Sequence, residues 1–310
     1  MNMTHRDVDW KLALIDLDGT LYRGSQPIAG AAEFIARLRD RGIQPVFFTN
    51  NATRTPMAVV QHLERMGIEG LPHEVVTSAQ ASASRIGPPT AGDYVLYIGQ
   101  DGLHEALREE GHQPLSVRHP KVGERLHHVK AAVLGLDWQV NYAQLALFCR
   151  KTAELGSFIL TNGDVQLPAE DGFLPGNGAI GAFVETASRV RPYVAGKPNP
   201  DFVGYALSRF GVAREDAFVV GDNPDTDIRC GRLYGLYSIM VETGVAEAAR
   251  RAARATNGKV GHAPNQPVHR EEPVHEAAPD EIRPNHATRH DVTSDEWTPD
   301  EVVGSVRDLF

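Results

Sequence analysis

The run Leu12-Ala13-Leu14-Ile15 ends abruptly at Asp16, and this junction constrains the chain more than any other feature. Four apolar residues without polar alternation read as a strand buried on both faces, as strands of parallel sheets are. A parallel strand needs a crossover, and the sequence supplies one. Ala31, Phe34, Ile35 and Leu38 recur at helical spacing, and Gly42 suits the helix end. The pattern then repeats. Pro45-Val46-Phe47-Phe48 reads as a strand, and Thr55 and Pro56 as an N-cap and first helical residue. Val59, Val60, Leu63 and Met66 give that helix one apolar face, and Gly67 ends it. Further strands are predicted at 94–98, 131–134, 158–160, 194–195, 218–220 and 238–241, with helices near 102–110, 142–155 and 179–187. Strand and helix in alternation mean an α/β architecture with mostly parallel sheets.

The chain has 310 residues, enough for two domains, and 42% of them are hydrophobic, enough for a sizeable core. A formal net charge of -9 argues against a nucleic-acid binder, which needs a basic face. Cys149 and Cys230 show no CxxC spacing and read as reduced, packed thiols. Residues 1–11 are polar and charged, and no apolar run approaches the roughly 18 residues that span a bilayer. The expectation is a cytoplasmic protein without a membrane partner. Residues 246–298 differ from the rest, being rich in Pro, His, Glu and Arg and poor in large apolar side chains. Such a composition buries too little to offset its ordering entropy, so 247–297 is expected to be a disordered insertion, with room for a solvated helix at 247–255. His262, His269, His275, His286 and His290 fall within it at irregular spacing, which favours a solvated tract over a metal site. Order is expected to resume at 299–306.

Four polar motifs follow predicted strands. Asp16-Leu17-Asp18-Gly19-Thr20 places two carboxylates at a strand end, where open α/β sheets bind ligands. Such a pair attracts a hard cation, and magnesium takes oxygen ligands together with substrate phosphate. The same pattern occurs in turns and calcium loops, but Thr20-Leu21-Tyr22 does not continue a calcium loop. Thr49-Asn50-Asn51 offers a hydroxyl, an amide and backbone N–H groups to phosphate oxygens, or simply a turn. Lys197, within Gly196-Lys197-Pro198, can neutralise phosphate or be an ordinary surface lysine. Gly221-Asp222-Asn223-Pro224-Asp225-Thr226-Asp227 adds acidic groups: Asp222 can complete a magnesium site, and Asp227 can orient Lys197 or a water. One parallel sheet is expected to bring all four motifs to one edge.

Taken in order, these motifs resemble those of the haloacid dehalogenase superfamily of phosphatases. The likeness extends to subclass IIA, the NagD and p-nitrophenyl phosphatase group. Thr20-Leu21-Tyr22-Arg23-Gly24, Thr49-Asn50-Asn51-Ala52-Thr53, Gly135-Leu136-Asp137, Thr161-Asn162-Gly163-Asp164, Pro175-Gly176-Asn177-Gly178-Ala179 and Gly196-Lys197-Pro198-Asn199-Pro200 all look like that group. The resemblance covers roughly residues 10–245 and resumes near 298; the long segment between them departs from the family's short connection. It implies a Rossmann-like core at 1–81, 191–246 and 298–310, and a smaller α/β cap of the C2 type at 82–190. The distance from Asn51 to Lys197 itself requires an inserted domain.

The resemblance also implies chemistry. Asp16 is the expected nucleophile, forming an aspartyl-phosphate, and Asp18 the acid and base. Magnesium is the expected cofactor, held by the Asp16 carboxylate, the Asp18 backbone carbonyl and Asp222. Thr49, Asn50 and Lys197 are expected to grip the phosphate, and Asp227 to orient its neighbours. Asn162 and Asp164 are the candidates for substrate contact from the cap, or else form a turn at its rim. An acid at Asp18 favours phosphoester cleavage over dehalogenation, because halide leaves unprotonated. The substrate is thus expected to be a small phosphate monoester: a sugar phosphate, nucleoside monophosphate, phosphoglycolate or aryl phosphate. A phosphomutase and a non-catalytic phosphometabolite-binding protein are the alternatives. Relatives often pair through their caps, so a homodimer is a further expectation.

Overall fold

The computed structural model describes residues 9–169, 172–244 and 298–309. In chain order the sheet strands are β1 (Leu12–Ile15), β2 (Gln44–Thr49), β3 (Val75–Thr77), β4 (Tyr94–Ile98), β5 (Gln113–Ser116) and β6 (Val129–Leu134). They continue with β7 (Ile159–Leu160), β8 (Tyr193–Val194), β9 (Ala217–Gly221), β10 (Tyr237–Val241) and β11 (Glu301–Val303). The main helices are α1 (Ala31–Asp40), α2 (Pro56–Glu64), α3 (Ser78–Arg85), α4 (Asp101–Glu109), α5 (Tyr142–Leu155), α6 (Asn177–Ser188), α7 (Pro200–Phe210) and α8 (Arg229–Tyr234).

Two all-parallel sheets result. The first runs β11-β10-β9-β1-β2-β3. From β1 the chain builds outward through β2 and β3, then returns to the other side of β1 for β9, β10 and β11. This is the doubly wound Rossmann-like order, and its reversal point lies between β1 and β9. The second sheet runs β8-β7-β6-β4-β5. It includes Tyr193–Val194 and so reaches beyond residue 190, where the sequence reading closes the inserted segment.

The core follows from strand alternation. Ala13 and Ile15 of β1 join Phe47, Phe218 and Val220 on one face, against Phe34, Ile35 and Leu38 of α1 and Val59, Val60 and Leu63 of α2. Leu12 and Leu14 join Val46, Phe48 and Val219 on the other, against Phe202, Val203, Ala206 and Leu207 of α7. Phe48 stacks on Phe202 with ring centroids 4.1 Å apart. Helix α2 begins as its sequence dictates: the Thr55 hydroxyl accepts the Ala58 N–H at 3.2 Å, and Pro56 occupies the first turn.

Several elements escape the sequence reading. Strands β3 and β5, helices α3, α7 and α8, and the antiparallel hairpin of Gln166–Ala169 and Gly172–Pro175 fall outside the predicted elements. The predicted order near 299–306 is present as β11, which pairs with β10. The expected disordered insertion at 247–297, its possible helix at 247–255 and its histidines lie outside the described residues. No helix among the described residues is long and apolar enough to cross a membrane.

Both cysteines are free and buried. The Cys230 thiol donates to the Asn199 carbonyl at 3.2 Å, and burial pushes its pKa up to about 12. Burial also raises the Cys149 thiol. Since only thiolate reacts, Ellman's reagent at pH 8 should label neither thiol in the native protein and both in denaturant. Rapid native labelling of Cys230 contradicts the packing described.

Candidate active site

The site forms at the carboxyl ends of β1, β2 and β9, the crevice that the strand order opens. Asp16 is the first residue beyond β1, and its backbone N–H donates to the Val220 carbonyl at 2.9 Å, locking it beside β9. At its centre stands the Lys197 ammonium, only 3% exposed. It lies 2.5 Å from Asp16 Oδ1 and 2.6 Å from Asp227 Oδ1, and donates to the Phe48 carbonyl at 3.1 Å. Asp16, Asp222 and Asp227 each place a carboxylate oxygen within 4.8 Å of the others. Three carboxylates around one ammonium leave negative charge in excess. Burial, with the charges of Asp227 and Asp222, therefore holds the Asp16 carboxyl well above the usual range, although Lys197 pulls it down. Burial alone pulls Lys197 down, but Asp16 and Asp227 outweigh it and hold the ammonium above its ordinary range.

Glycines make this crowding possible. A Cβ on Gly221 would come within 2.2 Å of Asp227 Cβ. Asp227 sits on a single wide π-type turn, Pro224–Ile228, a geometry that recurs at functional sites. Its Oδ2 accepts the Asn223 N–H at 3.1 Å, which aims Oδ1 at Lys197.

Lys197 does not reach the site from the sheet that carries Asp16. The sequence reading puts all four motifs on one sheet edge, but the strand before Lys197 is β8, which pairs with β7 in the second sheet. The first sheet thus supplies Asp16, Thr49, Asp222 and Asp227, and the second delivers Lys197.

Asn50 closes the gap between them. Its Oδ1 accepts the Lys197 backbone N–H at 2.8 Å, and its Nδ2 donates to the Lys197 carbonyl at 3.1 Å. The same Nδ2 lies 3.3 Å from both carboxylate oxygens of Asp164. Its own carbonyl accepts from Asn162 Nδ2 at 2.9 Å and from Ser78 Oγ at 2.7 Å. The polar groups expected to hold phosphate and substrate here hold one another across the two sheets. Nearby, the Gly102 N–H at the start of α4 donates to the Thr53 carbonyl at 3.0 Å, and a Cβ there would lie 2.4 Å from the Arg54 carbonyl oxygen. Thr49, at the end of β2, accepts the Asn51 N–H on its hydroxyl at 3.1 Å.

Asp18 stands apart from the three-carboxylate group, with its side chain at the solvent edge. Partial burial raises its carboxyl, opposed by the Gly24 N–H and by the charges of His62, Arg54 and Arg23. Of these, His62 and Arg54 carry no sequence signal for this role, and Arg23 is known only as part of the motif at 20–24. Arg54 falls five residues after Thr49, but spacing alone does not connect it to Asp18.

Two family models match the chain: a haloacid dehalogenase-like hydrolase model over residues 13–113 and a HAD-hydrolase-like model over 194–265. The acid sugar phosphatase of Staphylococcus aureus (strain MRSA252) is 42% identical over 237 residues, covering 76% of this chain and 88% of that protein. The chain belongs to the haloacid dehalogenase-like hydrolases. Glycerol phosphate phosphatase from Mycobacterium tuberculosis, solved in complex with magnesium, superposes with a TM-score of 0.69 at 36% identity, over 76% of this chain and 69% of that one. A double mutant of the thermostable NPPase from Geobacillus stearothermophilus gives 0.72 at 29%, over 97% and 98%. NagD from E. coli K-12, at 23% identity and a TM-score of 0.73, over 97% and 98%, shares the fold. The subclass IIA resemblance and the Rossmann-like fold therefore hold, and with phosphatases as relatives the chain is a phosphoric monoester hydrolase.

Replacing Lys197 leaves Asp16 and Asp227 without their ammonium. Uncompensated buried charge of this kind costs about 3–5 kcal/mol. Denaturant unfolding of Lys197→Met in chelator at pH 7.5 should show a loss of that order. The loss should shrink as pH falls and the carboxylates protonate. A loss below about 1 kcal/mol at pH 7.5 contradicts the pairing.

Proposed function

We propose that the chain hydrolyses small phosphate monoesters with magnesium, through an aspartyl-phosphate on Asp16. The observation that carries this reading is the buried group of Asp16, Asp222 and Asp227 around Lys197 at the strand-order reversal. Its excess negative charge and purely oxygen donors suit a hard divalent cation. Asp16, Asp222 and the Asp18 backbone carbonyl would hold magnesium, with Asp227 directed mainly to Lys197. When bound, magnesium shields the nucleophile from the phosphate's charge and stabilises charge on the transferring group.

Asp16 attacks phosphorus in line with the ester oxygen. The P–O bond to the alcohol breaks, and its electron pair leaves on that oxygen. Asp18 donates the proton that makes this an alcohol rather than an alkoxide. Its raised pKa suits that task, because the protonated form persists to higher pH than in an ordinary aspartic acid. In the second half-reaction Asp18 takes a proton from water, which attacks phosphorus and releases phosphate and free Asp16. Lys197 and Thr49 hold the phosphoryl oxygens, and Asn50 contributes by fixing Lys197.

The segment 82–190 is read as the cap that covers this crevice. Asn162 and Asp164 bring its rim onto Asn50, and exposed Val165, Phe173 and Leu174 lie on or beside its hairpin. These exposed apolar side chains support pairing of two copies through the cap. The names of the relatives, an acid sugar phosphatase and a glycerol phosphate phosphatase, favour sugar and polyol phosphates as substrates.

Steady-state hydrolysis of a phosphate monoester panel with magnesium tests the reading. Asp16→Asn should lower kcat by at least about 10³-fold on every substrate turned over. Full activity in that variant removes the covalent mechanism.

Asp18→Asn separates the half-reactions. In rapid mixing, its phosphorylation step should slow about 10²–10⁴-fold with glycerol phosphate and far less with p-nitrophenyl phosphate, whose leaving group needs little protonation. In the native enzyme the glycerol phosphate step should decline as pH rises through the raised Asp18 pKa, a limb absent from the variant. Equal slowing on both substrates contradicts the acid role.

A further inference from the structure

The Asp222 carboxylate is enclosed by two glycines from distant parts of the chain. A Cβ on Gly19 would lie 2.6 Å from Asp222 Cγ, and one on Gly244 would lie 1.8 Å from Oδ2. Gly19 has φ +91, so its turn and its close approach both demand glycine. The two walls are joined by hydrogen bonds of Thr243, which lies outside every motif named above. Thr243 Oγ1 donates to the Gly19 carbonyl at 2.7 Å. Arg23 donates to the Thr243 carbonyl through both Nε, at 2.7 Å, and Nη2. Arg23 belongs to the short hairpin Tyr22–Arg23 and Gln26–Pro27, which leaves the loop of Asp16 and Asp18 directly. A closed ring of contacts thus runs from Gly19 through Asp222, Gly244 and Thr243 back to Gly19, with Arg23 as its outer brace.

This ring answers an electrostatic difficulty. Asp222 faces two other carboxylates within 4.8 Å, and like charges so close favour a rotation that separates them. Backbone on both sides of the carboxylate denies it that rotation, provided the Gly244 wall stays in place. We propose that Thr243, braced by Arg23, is a positioning residue for the cation site: it fixes the Thr243–Gly244 segment against Asp222 and so holds that carboxylate toward Asp16. The inference rests on the magnesium reading above. Groups that orient a metal ligand without touching the metal are commonly worth 10–100-fold in metal affinity.

The test is magnesium binding by isothermal titration calorimetry, with the magnesium-dependent rise in Tm as a second readout. Thr243→Val removes the hydroxyl at nearly constant shape, and Thr243→Ser keeps it. The Kd for magnesium should rise about tenfold or more in Thr243→Val and stay within about twofold of native in Thr243→Ser. Arg23→Ala, a change at the surface, should raise Kd in the same direction, so the inference stays testable if the valine variant folds poorly. Native affinity in both Thr243→Val and Arg23→Ala overturns it. An equal loss in the valine and serine variants also overturns it, because the hydroxyl is then not the cause. If the native protein shows neither magnesium heat nor a magnesium-dependent Tm, the cation reading itself fails and this inference fails with it.

Discussion

An ammonium group that solvent barely reaches has to find all its partners inside the protein, and Lys197 finds them on three separate segments. Its Nζ meets Asp16 after β1, the Phe48 carbonyl within β2 and Asp227 after β9. A buried charge is tolerated only when it is paired and hydrogen-bonded, so these partners are conditions of folding as much as of chemistry. The backbone of the same lysine is held at both N–H and C=O by the Asn50 amide. Lys197 therefore acts as a rivet between the two sheets, and the crevice can exist only where β1, β2 and β9 lie side by side.

The strand order supplies that adjacency. Because the first sheet builds outward from β1 in both directions, the ends of β1 and β9 have no crossover helix between them. The carboxylates fill this space, and glycines let them approach. Gly19 and Gly244 flank Asp222, and Gly221 lies against Asp227. Electrostatics alone would push these acids apart. Close backbone contact and the single ammonium keep them together and leave the group short of positive charge.

Much of this is legible from sequence because Asp16, Thr49 and Asp222 each stand at the end of an apolar strand. The ends of β1, β2 and β9 announce themselves through Ile15-Asp16, Phe48-Thr49 and Gly221-Asp222. Where the apolar run was short the reading weakened. Strand β3 has three residues and β5 contains Pro114, so neither stands out from a loop. Local pattern also cannot say which sheet a two-residue strand joins, and the origin of Lys197 was misplaced for that reason. The destination of a side chain is a tertiary fact. Asn50 reads as a phosphate ligand by type, yet its amide lies against the Lys197 backbone and Asp164. Thr243 and Arg23, 220 positions apart in the chain, carry no signal that they meet.

The separation of the Lys197 partners along the chain also bears on how the protein assembles. Residues 16, 48, 197 and 227 converge only after the long crossover through the second sheet has closed. Non-local parallel pairing of this kind is formed late and slowly, because loop-closure entropy is lost before contacts return it. A chain with β1, β2 and β3 in place but β9 undocked has a nucleophile without its companion acids Asp222 and Asp227, and one whose second sheet is unclosed lacks the Lys197 ammonium. Competence for chemistry requires both the docking of β9, which brings Asp222 and Asp227, and the closure of the second sheet, which brings Lys197.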